Sequence, residues 1–140
     1  MLSTVAVGTD GSATAAQAIE QAAETARRFG AKLVLLSAFS DSGSTAVAEE
    51  DIELQWATNS SARVRSILER LQAELGQSAV DCEIRADEGD PADVLVQLAE
   101  ACGADLLVIG NKGMKRRLLG SVPNTVTHKA ECSVLVIKTT

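Results

Sequence analysis

Three cysteines, Cys82, Cys102 and Cys132, are odd in number and far apart, and none sits in a CxxC pair, which argues against a disulfide framework or a zinc knuckle. They read as small core residues in a reducing compartment. No apolar run approaches the length that crosses a bilayer, and residues 1–8 enter a strand-like pattern without a basic leader. The expectation is a soluble cytoplasmic protein with no membrane partner. Two phosphate motifs are missing. Without GxxxxGK[ST] there is no Walker lysine, and without GxGxxG after the first strand a nicotinamide dehydrogenase loses its main signature. Histidine is as scarce as tryptophan, one of each. His128 falls inside the last helical stretch, one turn before Cys132, and two ligands do not make a metal site. Trp56 on a helical segment reads as packing material rather than a base-stacking platform.

What is present fits one domain of 140 residues, enough to bury a sheet between helices. Charge is divided unevenly: residues 1–111 hold 7 cations and 18 acids, and residues 112–140 hold 6 cations and 1 acid, so the formal sums are -11 and +5. An acidic surface repels a nucleic-acid backbone, so a local basic end suits a small anion better than a long polyanion. The alternative is a solvated basic loop.

Along the chain, β-rich residues 3–7 end in the turn formers Gly8-Thr9-Asp10-Gly11-Ser12. Ser12 is the expected N-cap of an alanine-rich helix over 13–29, closed by Gly30. Residues 32–38 carry four consecutive aliphatics, Leu33 to Leu36, the mark of a strand buried on both faces of a parallel sheet. The pattern weakens from Ser40 to about Ala62. Then Val64, Ile67, Leu68, Leu71 and Leu75 form one helical stripe, stopped by Gly76. A third strand is expected over 80–86. Gly89-Asp90-Pro91 opens a helix lined by Val94, Leu95, Leu98 and Cys102 and ended by Gly103. The fourth strand covers 106–109, a helix 121–131 and the fifth strand 133–138. Strands alternating with helices at this spacing predict an α/β fold: an open, doubly wound, five-stranded parallel sheet with helices on both faces, Rossmann-like.

In such sheets ligands bind beyond the C-terminal strand ends, where the strand order reverses. For the order 3-2-1-4-5 that point lies between the first and fourth strands, and the turns following those two are the richest in glycine. The second, Gly110-Asn111-Lys112-Gly113, runs on through Lys115, Arg116 and Arg117 to Gly120-Ser121, where Ser121-Val122-Pro123-Asn124 reads as a helix start. Glycines let the main chain approach a ligand, and amides at a helix start suit an anion, so a bound phosphate is expected. Asp10 is a strand-end carboxylate able to accept from ribose hydroxyls or an amino group. Asp-Gly is also a common turn pair, and Ser121 is also an N-cap.

In order, Val7-Gly8-Thr9-Asp10-Gly11-Ser12, Gly89-Asp90-Pro91, Ala104 to Gly110, and Gly110-Asn111-Lys112-Gly113 leading to Gly120-Ser121-Val122-Pro123 resemble the universal stress protein family across essentially the whole chain. The resemblance implies the 3-2-1-4-5 sheet, a cytoplasmic homodimer paired through strand 133–138, and, in one branch, ATP binding without robust catalysis. The nucleotide-binding positions it implies are Gly8, Thr9, Asp10, Ala38, Gly110, Asn111, Lys112, Gly113, Arg116, Gly120, Ser121 and Val122. Asp10 would meet the ribose or adenine end, Ala38 would offer backbone to adenine, and Gly110, Gly113, Gly120 and Ser121 would hold phosphates. That branch places nine residues between its second and third glycines; this chain has six between Gly113 and Gly120. The implied ligand is ATP or another adenine nucleotide, cyclic AMP included, with Mg²⁺ as a companion the sequence does not decide. Catalytic residues and a protein-held metal are not indicated. The competing readings are a slow ATPase and a nucleotide-free dimeric scaffold.

Overall fold

The computed structural model describes residues 2–41, 60–111 and 122–138. The expectations for Trp56 and for Lys112, Gly113, Arg116, Gly120 and Ser121 lie outside them. The elements run β1 (Thr4–Gly8), α1 (Ala15–Phe29), β2 (Lys32–Phe39), α2 (Ser61–Gln77), β3 (Cys82–Glu88), α3 (Pro91–Ala101), β4 (Leu106–Gly110), α4 (Val122–Lys129) and β5 (Ser133–Ile137). All strand pairs are parallel and the order is β3-β2-β1-β4-β5, as the family resemblance implies.

Alternate strand residues point to opposite faces, and each face carries its own core. On one, Val5, Val7, Leu33, Leu35 and Val108 meet Ala18, Ala22 and Ala26 of α1 and Val64 and Leu68 of α2. On the other, Ala6, Val34, Leu36, Leu107 and Ile109 meet Leu95 and Ala99 of α3 and Val126 of α4. The alanine stripe of α1 lets that helix lie close to the sheet. The consecutive aliphatics of β2 are explained by this two-sided burial, since Leu33 to Leu36 are all at most 1% exposed.

Local chemistry sets the ends. Ser60 Oγ accepts from the Arg63 amide at 3.2 Å, and Asp90 Oδ2 accepts from the Asp93 amide at 3.1 Å with Pro91 in the first turn of α3. Gly30, at φ 63°, closes α1. Several boundaries differ from the sequence expectation. Helix α1 starts at Ala15, two residues late, because residues 9–12 make turn bonds of their own, so Thr14 rather than the expected Ser12 stands at the N-cap; Ser12 Oγ accepts from the Ala15 amide at 3.2 Å. Strand β3 starts at Cys82 rather than at residue 80. Helix α2 runs one residue past Gly76, and the Ala79 and Val80 amides donate back to the carbonyls of Gly76 and Leu75, at 3.0 and 2.9 Å. Helix α4 ends at Lys129, so His128 sits in its last turn and Cys132 lies beyond it. Those two side chains share no helical face, and among the described residues no cluster of three or more His, Cys, Asp or Glu is suited to a metal.

The three thiols are half-buried against the two cores, and burial is the main cause that pushes each of them above the ordinary cysteine range. No described helix is long and apolar enough to cross a membrane.

Candidate functional site

The sheet comes apart at its C-terminal edge between β1 and β4. Their ladder runs Val5↔Leu106, Ala6↔Leu107 and Val7↔Val108, and ends there. Strand β1 stays on β2 further, through Gly8↔Leu36, and the Thr9 amide then donates to the Leu36 carbonyl at 2.9 Å. Strand β4 stays on β5 through Gly110↔Ile137, and the Asn111 amide then donates to the Ile137 carbonyl at 2.8 Å. Strand β1 is thus drawn toward β2 and strand β4 toward β5. The parting lies where the strand order reverses, which is where open α/β sheets receive ligands.

Six of the sequence-derived candidates frame this edge. Gly8 ends β1, and Thr9 and Asp10 follow it; Gly110 ends β4, and Asn111 follows it. Ala38, fully buried near the end of β2, pairs with Asp87. Val122, the seventh candidate described, begins α4 and is buried in the second core.

The first turn is locked by its own side chains. Thr9 Oγ1 accepts from the Gly11 amide at 3.0 Å, and Asp10 Oδ1 accepts from the Ser12 amide at 2.9 Å. Thr9 is 1% exposed and Asp10 is 7% exposed, so a carboxylate stands almost wholly within the protein at the parting of the strands. An aspartate kept there can accept hydrogen bonds from a ligand's hydroxyl or amino groups in a place where water competes weakly.

The glycines of this turn have work in the core. A Cβ on Gly8 would stand 2.9 Å from Leu95 Cδ1, and one on Gly11, at φ +84°, 2.9 Å from Ile67 Cδ1. Gly8 thus seats α3 on the strand end, and Gly11 both makes the left-handed turn and admits α2. From sequence these two glycines read as turn formers; the structure adds their part in helix–sheet packing.

One residue of the arrangement escapes the sequence reading. Ser37, 3% exposed in β2, donates from Oγ to the Thr9 carbonyl at 2.7 Å. The signal available was a lone hydroxyl in the otherwise apolar run Leu33 to Phe39.

Another cleft, of about 450 Å³, lies between α2 and β3, lined by Phe39, Leu68, Ile84 and the two arginines Arg65 and Arg85. Those arginines face Glu69 and Glu83, each at 3.8 Å, so the cleft's cations are already opposed by acids.

Comparison with known proteins agrees with this fold. The model of the universal stress protein family matches residues 1–138. A universal stress protein of Mycobacterium tuberculosis is 37% identical over 142 residues, with 98% of this chain and 97% of the relative covered. Among solved structures, a universal stress protein in complex with cAMP is 34% identical with TM-score 0.79, covering 99% of each chain. A universal stress protein family protein from Arabidopsis thaliana with AMP bound is 27% identical with TM-score 0.70, covering 99% of this chain and 92% of the other. The chain belongs to the universal stress protein family.

Proposed function

We propose that this protein binds an adenine nucleotide, ATP in the first instance, at the parting of β1 and β4, and that binding rather than turnover is its function. The observation that carries the reading is the nearly buried Asp10 carboxylate at the point where the two strand ends separate. Asp10 meets the ribose or the adenine, the Ala38 backbone meets adenine, and the backbone at Gly8, Thr9, Gly110 and Asn111 borders the nucleotide. Gly110, Gly113, Gly120 and Ser121 hold phosphates, Lys112 and Arg116 neutralise them, Val122 belongs to the same site, and Mg²⁺ accompanies a triphosphate. The nucleotide's occupancy changes the shape or partner choice of a cytoplasmic homodimer joined through strand 133–138, and the chain forms a single stress-response domain.

Cyclic AMP is the second reading. It is favoured by the cAMP complex of the 34% identical relative and by the six-residue interval between Gly113 and Gly120, which offers less loop to outer phosphates.

Thermal unfolding with ATP, ADP, AMP and cyclic AMP separates the readings. Ligand at a hundred times its dissociation constant adds about 2.7 kcal/mol to the folded state. A rise in melting temperature with ATP, abolished in Asp10→Ala, is the expected result. A rise with cyclic AMP alone selects the second reading. No rise with any of the four at millimolar concentration leaves a nucleotide-free scaffold, and release of phosphate from ATP by the purified protein, lost in Asp10→Ala, would restore the enzyme.

A further inference from the structure

Strand β2 lays Leu33, Leu35 and Phe39 against the first core, and Ser37 occupies the same face between them. An aliphatic residue would continue that stripe. The hydroxyl instead donates to the carbonyl of Thr9, the first residue past β1, at 2.7 Å. The amide of the same residue donates to the Leu36 carbonyl at 2.9 Å. Both backbone groups of Thr9 are therefore tied to β2, one by the strand ladder and the other by a side chain.

The Thr9 carbonyl and the Asp10 amide belong to one planar peptide unit. Holding the oxygen fixes the plane that precedes the Asp10 Cα, and the bond from the Ser12 amide to Asp10 Oδ1 fixes the side chain beyond it. Remove the Ser37 hydroxyl and that plane can rotate, carrying the carboxylate with it, while the ladder bond at the Thr9 amide remains.

We infer that Ser37 is a positioning residue of the nucleotide site, aiming the Asp10 carboxylate at the ribose 2′-hydroxyl through the peptide plane between Thr9 and Asp10. The inference rests on the adenine-nucleotide reading above and adds to it the residue that sets ribose recognition.

Calorimetric titration of the full chain with ATP and with 2′-deoxy-ATP tests it, using wild type, Ser37→Ala and Ser37→Thr. The wild type should favour ATP by about tenfold, because a site that hydrogen-bonds a hydroxyl rejects the analogue lacking it. Ser37→Ala should bring that ratio toward one by weakening ATP and leaving the deoxy analogue nearly unchanged; Ser37→Thr, which keeps a hydroxyl, should restore it. A merely structural loss would weaken both nucleotides together and leave the ratio intact, and that result overturns the inference while the binding reading stands. A wild type that binds both equally also overturns it. A wild type that binds neither overturns the binding reading and this inference with it. Should Ser37→Ala fail to fold, Ser37→Cys, with a weak donor in a similar volume, is read by the same ratio.

Discussion

A Cβ placed on Gly8 would lie 2.9 Å from Leu95 Cδ1 and 3.1 Å from Leu95 Cδ2, with Ile109 Cγ2 at 3.5 Å. Leu95 is fully buried, so its methyls have little room to retreat, and the last residue of β1 is in effect a socket for α3. Gly8→Ala is expected to destabilise by about 1–3 kcal/mol through overpacking. Leu95→Ala alone should cost about 2–5 kcal/mol, and the double variant less than the sum, since the new methyl enters the space the leucine leaves. Urea midpoints of the four proteins check this. Additive losses would mean that the two residues do not share the contact.

The relation between Gly8 and Leu95 also marks where sequence reading stops. Five strands, their parallel pairing and the two glycine-rich turns after β1 and β4 were legible, because four-aliphatic runs, helical stripes and caps are local signals. The strand order came from family resemblance rather than from spacing. Ser37 escapes a sequence reading because a hydrogen bond between residues 9 and 37 has no periodicity to betray it. The use of Gly8 and Gly11 was legible only as backbone freedom, since which side chain approaches a glycine depends on packing 87 or 56 residues away, at Leu95 and Ile67. The displaced start of β3 had a similar origin: Val80 looks like a strand residue, but its amide is taken by the closing turn of α2.

A pH dependence follows from Asp105. The amides of Ser3 and Thr4 donate to its Oδ2 at 2.8 and 3.0 Å, and these bonds hold its carboxyl below the ordinary value of 3.8. A group whose folded-state pKa is depressed stabilises the fold at pH values above its unfolded pKa, and that contribution fades as pH falls through the folded one. Asp105→Ala should therefore be less stable than wild type at neutral pH, with the gap narrowing only below about pH 4. Denaturant midpoints of both proteins from pH 7 down to the lowest pH at which they remain folded measure it. A gap that stays constant across that acid range would remove the carboxylate from the account.

Ala79 stands at φ 62°, in the left-handed region, with its amide donating to the Gly76 carbonyl at 3.0 Å. An L-residue pays about 1–2 kcal/mol for that conformation, while glycine pays in unfolded-chain entropy, about 0.5–1 kcal/mol. Ala79→Gly should accordingly stabilise the protein by up to about 1 kcal/mol, read as a rise in melting temperature of a few degrees. A fall would indicate that the alanine methyl makes contacts worth more than the strain.

Strand β5 is an edge of the sheet, and its central residue Leu135 is 36% exposed. Its neighbours are otherwise occupied: Val134 and Val136 pack on the second core and Ile137 on the first. The outer row of β5 amides and carbonyls meets no further strand among the described residues, and an aliphatic edge of this kind invites pairing with another chain unless something covers it. A second copy of the same strand, laid antiparallel across a two-fold axis, would satisfy both the edge and the leucine. In sedimentation velocity the wild type should run as a dimer at micromolar concentration, and Leu135→Lys should weaken association by about tenfold or more, because a lysine on the edge opposes its own symmetry mate. Circular dichroism of Leu135→Lys should be unchanged, since an exposed position contributes little to the core. A wild type that sediments as a monomer at that concentration would remove the edge as the contact.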